Sequence, residues 1–152
     1  MRRSDKEITD KAAMDAIIRR CRVCHLGLSN RDRPYVVPLS FGYDGSNVYF
    51  HTAQEGKKVD YIAANANACF EFECDVSVIP HDSVACRWGF SFQSVIGYGT
   101  VSEIVGRDEK RRGLDCIMGH YSDGKWDYSD RELAKVRVWR ISIDSMSGKA
   151  SG

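Results

Sequence analysis

Long apolar runs and a surplus of one charge are both missing from this sequence of 152 residues. The longest purely apolar stretches span only a few residues, whereas a helix needs about 20 to cross a bilayer, so no membrane-spanning segment is expected. The 22 basic and 21 acidic side chains leave a formal net charge of +1, which provides no general attraction for nucleic acid. Neither a membrane nor a nucleic acid is therefore an expected partner.

A secretory leader is also lacking. Met1, Arg2 and Arg3 are followed directly by Ser-Asp-Lys-Glu, without the apolar core of a signal peptide, so we expect a cytoplasmic protein. Hydrophobic residues make up 43% and charged residues 28%, an ordinary globular balance. No repeat, linker or change in composition divides the chain, and residues 1–152 are predicted to form a single domain.

Cysteine is present, but not in a pattern that specifies a metal centre or a disulfide framework. The six cysteines include Cys21 and Cys24, which have the Cys-x-x-Cys spacing. A structural zinc site usually needs a second such pair, but Cys69 and Cys74 are five residues apart and face opposite ways in a strand. We interpret the cysteines as small buried apolar residues, with a zinc site as the alternative.

Alternating apolar and polar residues predict about six strands, with three helices at the margins. Ser4 to Glu7 form a capping-box pattern, which places a first helix within residues 5–20. Asp44 and Gly45 predict a hairpin between strands 34–43 and 47–52. The other strands are expected at 24–28, 68–76, 90–105 and 134–148, and the other helices at 57–66 and 107–122. Strands joined in this way favour a mainly β fold, an antiparallel sheet closed into a small barrel.

Proline and glycine interrupt two of these predicted strands. Pro38 removes a hydrogen-bond donor from the middle of one strand, so that strand is at an edge or has something other than a strand beside it. Gly97 and Gly99 are not followed by the third glycine of a dinucleotide-binding motif. We interpret them as positions where another backbone approaches closely.

The segment from Val48 to Ile62 contains the main candidate for a ligand site. Gly56, Lys57 and Lys58 open a predicted helix directly after a strand, where free N–H groups and the helix dipole favour an anion. Two lysines are unfavourable at that end of a helix unless a negative group is bound there. The alternative is a pair of solvated lysines, and spacing alone does not decide between the two.

Four other polar residues are candidates for the same ligand. His51 and Thr52 end the strand that precedes Gly56, and an ordinary histidine at the rim is the alternative for His51. Gln93 and Ser94 interrupt an otherwise apolar strand and are positioned to reach a ligand. No histidine is paired with a serine, cysteine or carboxylate at a spacing that specifies a catalytic set.

Three segments resemble the pyridoxamine 5′-phosphate oxidase superfamily, the FMN-binding split β-barrels, and within it the nitroimidazole-resistance (Nim-type) branch. VYFHTAQEGKKVDYI, at 48–62, is similar to the flavin-phosphate segment, with the histidine, glycine and paired lysines of that branch. RPYVVPLSFGYDG, at 33–45, resembles the second strand of the branch, and FQSVIGYGTVSEI, at 92–104, resembles its long strand. The resemblance covers residues 8–145 and implies a homodimer with FMN bound between its subunits.

The resemblance assigns one group of residues to the FMN phosphate. Lys57 and Lys58 correspond to the residues that hold it. The partner subunit is expected to complete this region with three residues of the long strand, Gln93, Ser94 and Val95.

A second group corresponds to the rest of the cofactor. His51, Thr52 and Ala53 would line the ribityl chain and the edge of the ring, and Trp139 would flank the ring. The backbone expected beside the isoalloxazine is that of Val37, Pro38, Leu39 and Ser40. A flavin there would explain why a proline is tolerated at position 38, because the flavin would occupy the side of the strand on which a neighbouring strand is missing.

The implied activity is that of an FMN-dependent oxidoreductase, in which the reduced flavin passes electrons to a small-molecule acceptor, a nitroaromatic ring of the 5-nitroimidazole kind. The arginines and histidines that bind a substrate phosphate in the vitamin B6 enzymes are not found, so vitamin B6 oxidation is not expected. Two alternatives stay open: a flavin-binding protein or sensor without catalysis, and a haem-binding split barrel with His25, His51 or His120 as ligand.

Overall fold

The computed structural model describes residues 4–152 and contains one antiparallel sheet with helices at its margins. Met1, Arg2 and Arg3, on which the expectation about a secretory leader depends, lie outside the described residues. Within residues 4–152, no helix has the length and apolar character needed to cross a membrane.

Eight strands form the sheet in the described part of the chain. They are β1 (Glu7–Ile8), β2 (Cys24–Asn30), β3 (Arg33–Leu39), β4 (Gly42–Tyr43), β5 (Asn47–Thr52), β6 (Asn67–Ile79), β7 (Gly89–Ile104) and β8 (Arg137–Ser151). Their order is β3-β2-β6-β7-β8-β5-β4, with β1 beside β8. Because β1 and β4 have only two residues each, the prediction of a mainly β, antiparallel fold with about six substantial strands is confirmed.

Four α-helices lie at the margins of the sheet in residues 4–152. They are α1 (Lys11–Arg20), α2 (Lys57–Ala64), α3 (Arg107–Tyr121) and the single turn α4 (Asp130–Leu133). The helices predicted at 57–66 and 107–122 are confirmed within two residues at each end. The core lies between the helices and the inward side chains of the strands, such as Leu26, Phe70 and Phe72, which are fully buried.

The first helix lies within the predicted residues 5–20, but it begins later than the capping-box pattern indicates. Ser4–Lys6 form a short 3₁₀ turn and Glu7–Ile8 pair with β8, so the pattern does not start α1. The N-cap is Asp10, whose carboxylate accepts a hydrogen bond of 2.8 Å from the Ala13 N–H. The pairing of β1 with β8 outweighs the local preference for a helix start.

The predicted hairpin between 34–43 and 47–52 is largely wrong. The whole of β3 pairs with β2, with Arg33 opposite Asn30 and Leu39 opposite Cys24. The chain then leaves this strand at Ser40, and only Gly42 and Tyr43 pair with β5. The Asp-Gly turn is therefore real, but the long apolar segment before it belongs mostly to another pair of strands.

The interpretations of Pro38 and Gly99 are confirmed. Strand β3 is at the end of the sheet, so the missing N–H of Pro38 costs no hydrogen bond to a second neighbour. A Cβ added at Gly99 would lie 2.3 Å from the Ser142 carbonyl oxygen on the neighbouring strand β8. Gly97 instead makes room for a side chain, the ring of Phe70, which would lie 2.1 Å from an added Cβ.

The packing of α3 against β4 depends on a glycine. A Cβ added at Gly42 would lie 2.5 Å from the carbonyl carbon of Cys116 in the backbone of α3. We expect Gly42→Ala to lower the free energy of unfolding by about 1–3 kcal/mol because helix and strand must move apart. Urea unfolding measures this change.

Gly119 is the matched control on the same helix. An added Cβ there meets nothing within 4 Å, and alanine is the better helix former. Gly119→Ala should raise the free energy of unfolding by about 0.5–1 kcal/mol. Equal effects of the two substitutions would contradict the close approach at Gly42.

Candidate functional site

The turn between β5 and α2 presents the start of a helix without a side-chain cap. Gly56 is the N-cap of α2, with φ 141° and ψ 165°, a conformation that favours glycine. No side chain caps the helix, and an added Cβ at Gly56 would meet nothing within 4 Å. The space in front of the first-turn N–H groups is therefore open, and these groups with the helix dipole make it suitable for an anion.

Two positive charges lie at this helix start without acidic partners. Among residues 4–152, neither Lys57 nor Lys58 has a carboxylate within ion-pair distance. The Lys57 ammonium lies over the ring of Tyr35, 4.7 Å from its centroid, and 5.6 Å from that of Tyr61. Partial burial lowers the pKa of Lys58. Because cations oppose the dipole at a helix N-terminus, both lysines gain from a bound anion.

His51 borders the same group of charges. Partial burial, and then the neighbouring ammonium of Lys58, lower the pKa of His51 below its ordinary value of 6.5. The imidazole is therefore neutral at pH 7 and carries one N–H donor and one nitrogen acceptor. It is able to bind a polar ligand at the rim without adding a third positive charge.

Thr52 anchors the turn from inside. Its buried hydroxyl donates to the Ala53 carbonyl at 2.7 Å and accepts from the Trp139 indole N–H at 2.9 Å. Trp139 is itself buried and stacks on Phe50, with ring centroids 6.4 Å apart. The Thr52 side chain therefore fixes the turn, and Trp139 belongs to the core behind the turn.

The first half of β3 lies beside the start of α2. The contact of Lys57 with Tyr35 joins the two elements, and the Tyr35 and Tyr61 rings pack at 5.1 Å. Side chains alternate along the strand, with Val37 and Leu39 toward the core and Pro38 and Ser40 exposed. One chain thus brings together two of the predicted groups, His51–Ala53 and Lys57–Lys58, whereas Pro38 lines the cleft beside Arg20 and His25.

Gln93, Ser94 and Val95 lie elsewhere in the same chain. Thr52 pairs with Arg137 at one end of β8, whereas Ser94 pairs with Lys149, twelve positions further along that strand. This spacing corresponds to roughly 40 Å along a straight strand. The side chain of Val95 is fully buried, whereas Gln93 and Ser94 are half-buried and retain some access to solvent.

Arg20, at the end of α1, was not among the site residues predicted from the sequence. Its guanidinium donates to the Gln93 side-chain oxygen at 2.7 Å and lies 3.3 Å from the Asp75 carboxylate. Arginine in the last turn of a helix is common, so nothing local distinguished this one. Arg20 also lines a cleft of about 520 Å³ that reaches the predicted flavin strand; the other lining residues are Cys21, Arg22, Val23, His25, Pro38, Glu73 and Val76.

The other histidines considered as haem ligands have protein partners. The His120 Nε2 atom is 2.7 Å from the Cys21 carbonyl oxygen, and its ring packs on Phe41 at 4.2 Å. His25 Nδ1 is 3.0 Å from the Glu71 carboxylate, in register with Pro38 on the neighbouring strand. His51 therefore has the most open imidazole of the three.

The interpretation of the cysteines holds for the Cys-x-x-Cys pair. Cys21 and Cys24 are both buried free thiols, whereas Cys86 is exposed. No group of three or more histidine, cysteine or acidic side chains in residues 4–152 is arranged to hold a metal ion.

A second cavity, of about 350 Å³, lies between α3, β5 and β8. It mixes acids and bases and contains none of the predicted site residues; its lining includes Asp44, Tyr49, Glu103, Glu109, Arg112 and Arg140. The start of α2 is thus distinguished by its lysines and free N–H groups, and neither of these two cavities is lined by residues of α2.

Solved structures share this arrangement of strands and helices. A structure described as a 5-nitroimidazole antibiotic resistance protein from Bacteroides thetaiotaomicron is 33% identical, with a TM-score of 0.85 over 94% of this chain and 85% of that one. A flavocytochrome from Azotobacter vinelandii is 20% identical, with a TM-score of 0.87 over 100% of this chain and 72% of that one. An FAD- and haem-binding protein from Mycobacterium smegmatis is 22% identical, with a TM-score of 0.86 over 96% and 73%.

By sequence, no protein of curated function matches the chain. The profile of the family described as pyridoxamine 5′-phosphate oxidase matches residues 10–150, which is nearly the whole chain. Together with the fold and with the 33% identity over 94% of the chain, this match confirms the resemblance found in the sequence. The chain belongs to the pyridoxamine 5′-phosphate oxidase family of split β-barrels.

Proposed function

We propose that this protein is an FMN-dependent oxidoreductase that reduces small nitroaromatic compounds of the 5-nitroimidazole kind. The observation that carries the proposal is the open start of α2, where Gly56, Lys57 and Lys58 offer helix N–H groups and two ammonium groups with no acidic partner in residues 4–152. A terminal phosphate has the charge and the oxygen acceptors that these groups lack. The acceptor class comes from the relative described as a 5-nitroimidazole antibiotic resistance protein.

The neighbouring strand fits the rest of a flavin. As an edge strand, β3 has unpaired backbone groups on the side away from β2, and hydrogen bonds to ring oxygens and nitrogens suit such groups. The exposed face of Pro38 offers an apolar surface beside them. The backbone from Val37 to Ser40 is accordingly proposed to lie beside the isoalloxazine.

When bound, the flavin supplies the electrons, and the protein supplies binding, orientation and access. Lys57, Lys58 and the first-turn N–H groups hold the phosphate. Neutral His51 is available to hydrogen-bond the ribityl chain or the edge of the ring. The Thr52 and Trp139 hydrogen bond holds this turn against the core, because a buried hydroxyl or indole N–H left without its partner costs free energy.

A homodimer is part of the proposal because the predicted site lies in two separate parts of one chain. The outer face of the sheet, meaning the side of β3, β2, β6 and β7 opposite the core, exposes Val36, Ile96 and Tyr98. Apolar residues grouped on one face are typical of an interface between proteins. Two copies joined through this face would allow Gln93 and Ser94 of one chain to approach the lysines of the other.

Spectroscopy of the purified protein with added FMN tests the proposal. We expect the absorption bands of a bound flavin, and loss of the nitro-group absorbance when the reduced holoprotein is mixed with a 5-nitroimidazole. A reduced flavin that never transfers electrons to the nitro compound would favour a non-catalytic flavin protein. A Soret band without flavin bands would favour the haem alternative, and a protein that binds no flavin would contradict the proposal.

Replacing both lysines should weaken FMN binding. We expect Lys57→Ala with Lys58→Ala to raise the Kd for FMN by about tenfold or more per lysine, since each removes a charge-assisted contact of roughly 1.5–3 kcal/mol. Quenching of flavin fluorescence measures the Kd. Riboflavin lacks the phosphate, so its affinity should change much less.

Lys125→Ala serves as the control, because Lys125 is an exposed lysine in the loop after α3. It should leave the affinity for FMN at the wild-type value. Equal losses of FMN and riboflavin binding in the double lysine variant would show that the phosphate is held elsewhere.

Charges on the outer face should separate the subunits. Ile96→Glu with Tyr98→Glu is expected to change the mass in solution from that of two chains to that of one, 17.1 kDa, in light scattering after gel filtration. The reason is the cost of burying carboxylates in an apolar interface. The control is Val105→Glu, at a position beyond the end of β7 that is 82% exposed. A dimer that survives both acidic residues would place the interface on another surface.

A further inference from the structure

Two cysteines that the proposed flavin site does not use meet where α1 packs against β6. Cys21 is the C-cap of α1, and its thiol lies 3.3 Å from the Ile17 carbonyl oxygen, to which it donates. Arg20, the residue before Cys21, reaches the sulfur of Cys74 on β6 at 3.7 Å, which places Cys74 beside the end of α1. Both are free thiols, and Cys74 packs against the core cluster that contains Cys21.

The two thiols differ in access. Cys21 is 1% exposed, whereas Cys74 is only half-buried and borders solvent. Burial, and then the neighbouring Cys74, raise the pKa of Cys21 to about 12. An external reagent therefore reaches Cys74 first, and Cys21 lies behind it as a protonated thiol.

Arg20 provides positive charge at the outer thiol. Its guanidinium donates to the Cys74 sulfur at 3.7 Å, where it is placed to stabilise the negative charge that this sulfur carries when it attacks. The Cys74 thiol itself donates to the Asp75 carboxylate, also at 3.7 Å. Arg20 also pairs with Asp75, at 3.3 Å, and so offsets that charge.

The backbone at Cys74 is irregular. Cys74 pairs with Gln93 and Ser77 pairs with Ser91, so β6 contains one residue more than β7 between these pairs. Asp75, which follows Cys74, has φ 57°, in the left-handed region. Such a bulge interrupts the ladder directly after Cys74, so on that side the strand is not held by regular pairing.

We propose that Cys21 and Cys74 form a dithiol site that low-molecular-weight disulfides oxidise to an intramolecular disulfide. The Cys74 thiolate attacks one sulfur of the reagent, breaks its S–S bond and releases one thiol. Cys21 attacks the Cys74 sulfur and its proton passes to the departing thiolate, which forms the Cys21–Cys74 bond and releases the second thiol. Two protein thiols are oxidised, and one external disulfide is reduced to two thiols.

The test uses the full chain with Cys86→Ser, which removes the exposed thiol. After treatment with oxidised glutathione, two thiols should be lost with no glutathione retained, and dithiothreitol should restore both. Trypsin with chymotrypsin identifies the linked residues, since cleavage after Arg22 separates Cys21 from Cys24 and cleavage after Phe70 and Phe72 separates Cys69 from Cys74. A Cys21–Cys24 link, a lasting glutathione adduct on Cys74 or no loss of thiols would overturn the proposal.

Variants assign the order of the two steps. Cys21→Ser should stop the reaction at a glutathione adduct on Cys74, and Cys74→Ser should abolish the reaction. Cys116→Ser, at a half-buried cysteine on α3, should leave the link intact. If the buried Cys21 variant does not fold, Arg20→Gln provides the second measurement: it should slow the loss of the two thiols, and an unchanged rate would contradict the role of Cys74 as the attacking group.

Discussion

The antiparallel pairing of β7 with β8 is the constraint on which the rest of this structure depends. The ladder extends from Phe92 opposite Ser151 to Ile104 opposite Val138, nearly the full length of both strands. On one side, β7 pairs with β6, which pairs with β2 and then β3. On the other side, β8 pairs with β5, which pairs with β4. Because a slip of one residue would turn every inward side chain outward, this register fixes where each predicted site residue lies.

Much of the fold could be predicted because its signals are local. Apolar alternation in β6 and β7, the glycine and lysines that open α2, and the missing donor of Pro38 each have a meaning within a few residues. The errors occur where distant segments compete. Ser4 precedes a strand because β8 offers Glu7 and Ile8 a partner, and the apolar run before Gly42 pairs backwards with β2 instead of forwards with β5.

The candidate site was predicted unevenly for the same reason. The segment from His51 to Lys58 is continuous in the chain, so its polar residues stand together in any fold that keeps β5 and α2. Gln93 and Ser94 were noticeable as polar residues in an apolar strand, but only the resemblance to a family assigned them to the phosphate, since nothing in their spacing connects them to a turn so far away. Arg20 and the pair of His25 with Glu71 depend on contacts across strands and helices, and no local pattern distinguishes them from ordinary surface charges.

The distance along β8 between the partners of Thr52 and Ser94 has a consequence for how the protein would lose its cofactor. In the proposed dimer, each binding site takes one part from each chain, so occupancy and assembly are thermodynamically linked. Dilution that separates the chains would release the flavin, and a high concentration of flavin would hold the chains together. The protein would then carry its cofactor only above a threshold concentration of the protein. Because strand β8 separates the two parts of the site within one chain, activity would require two chains and would depend on their concentration.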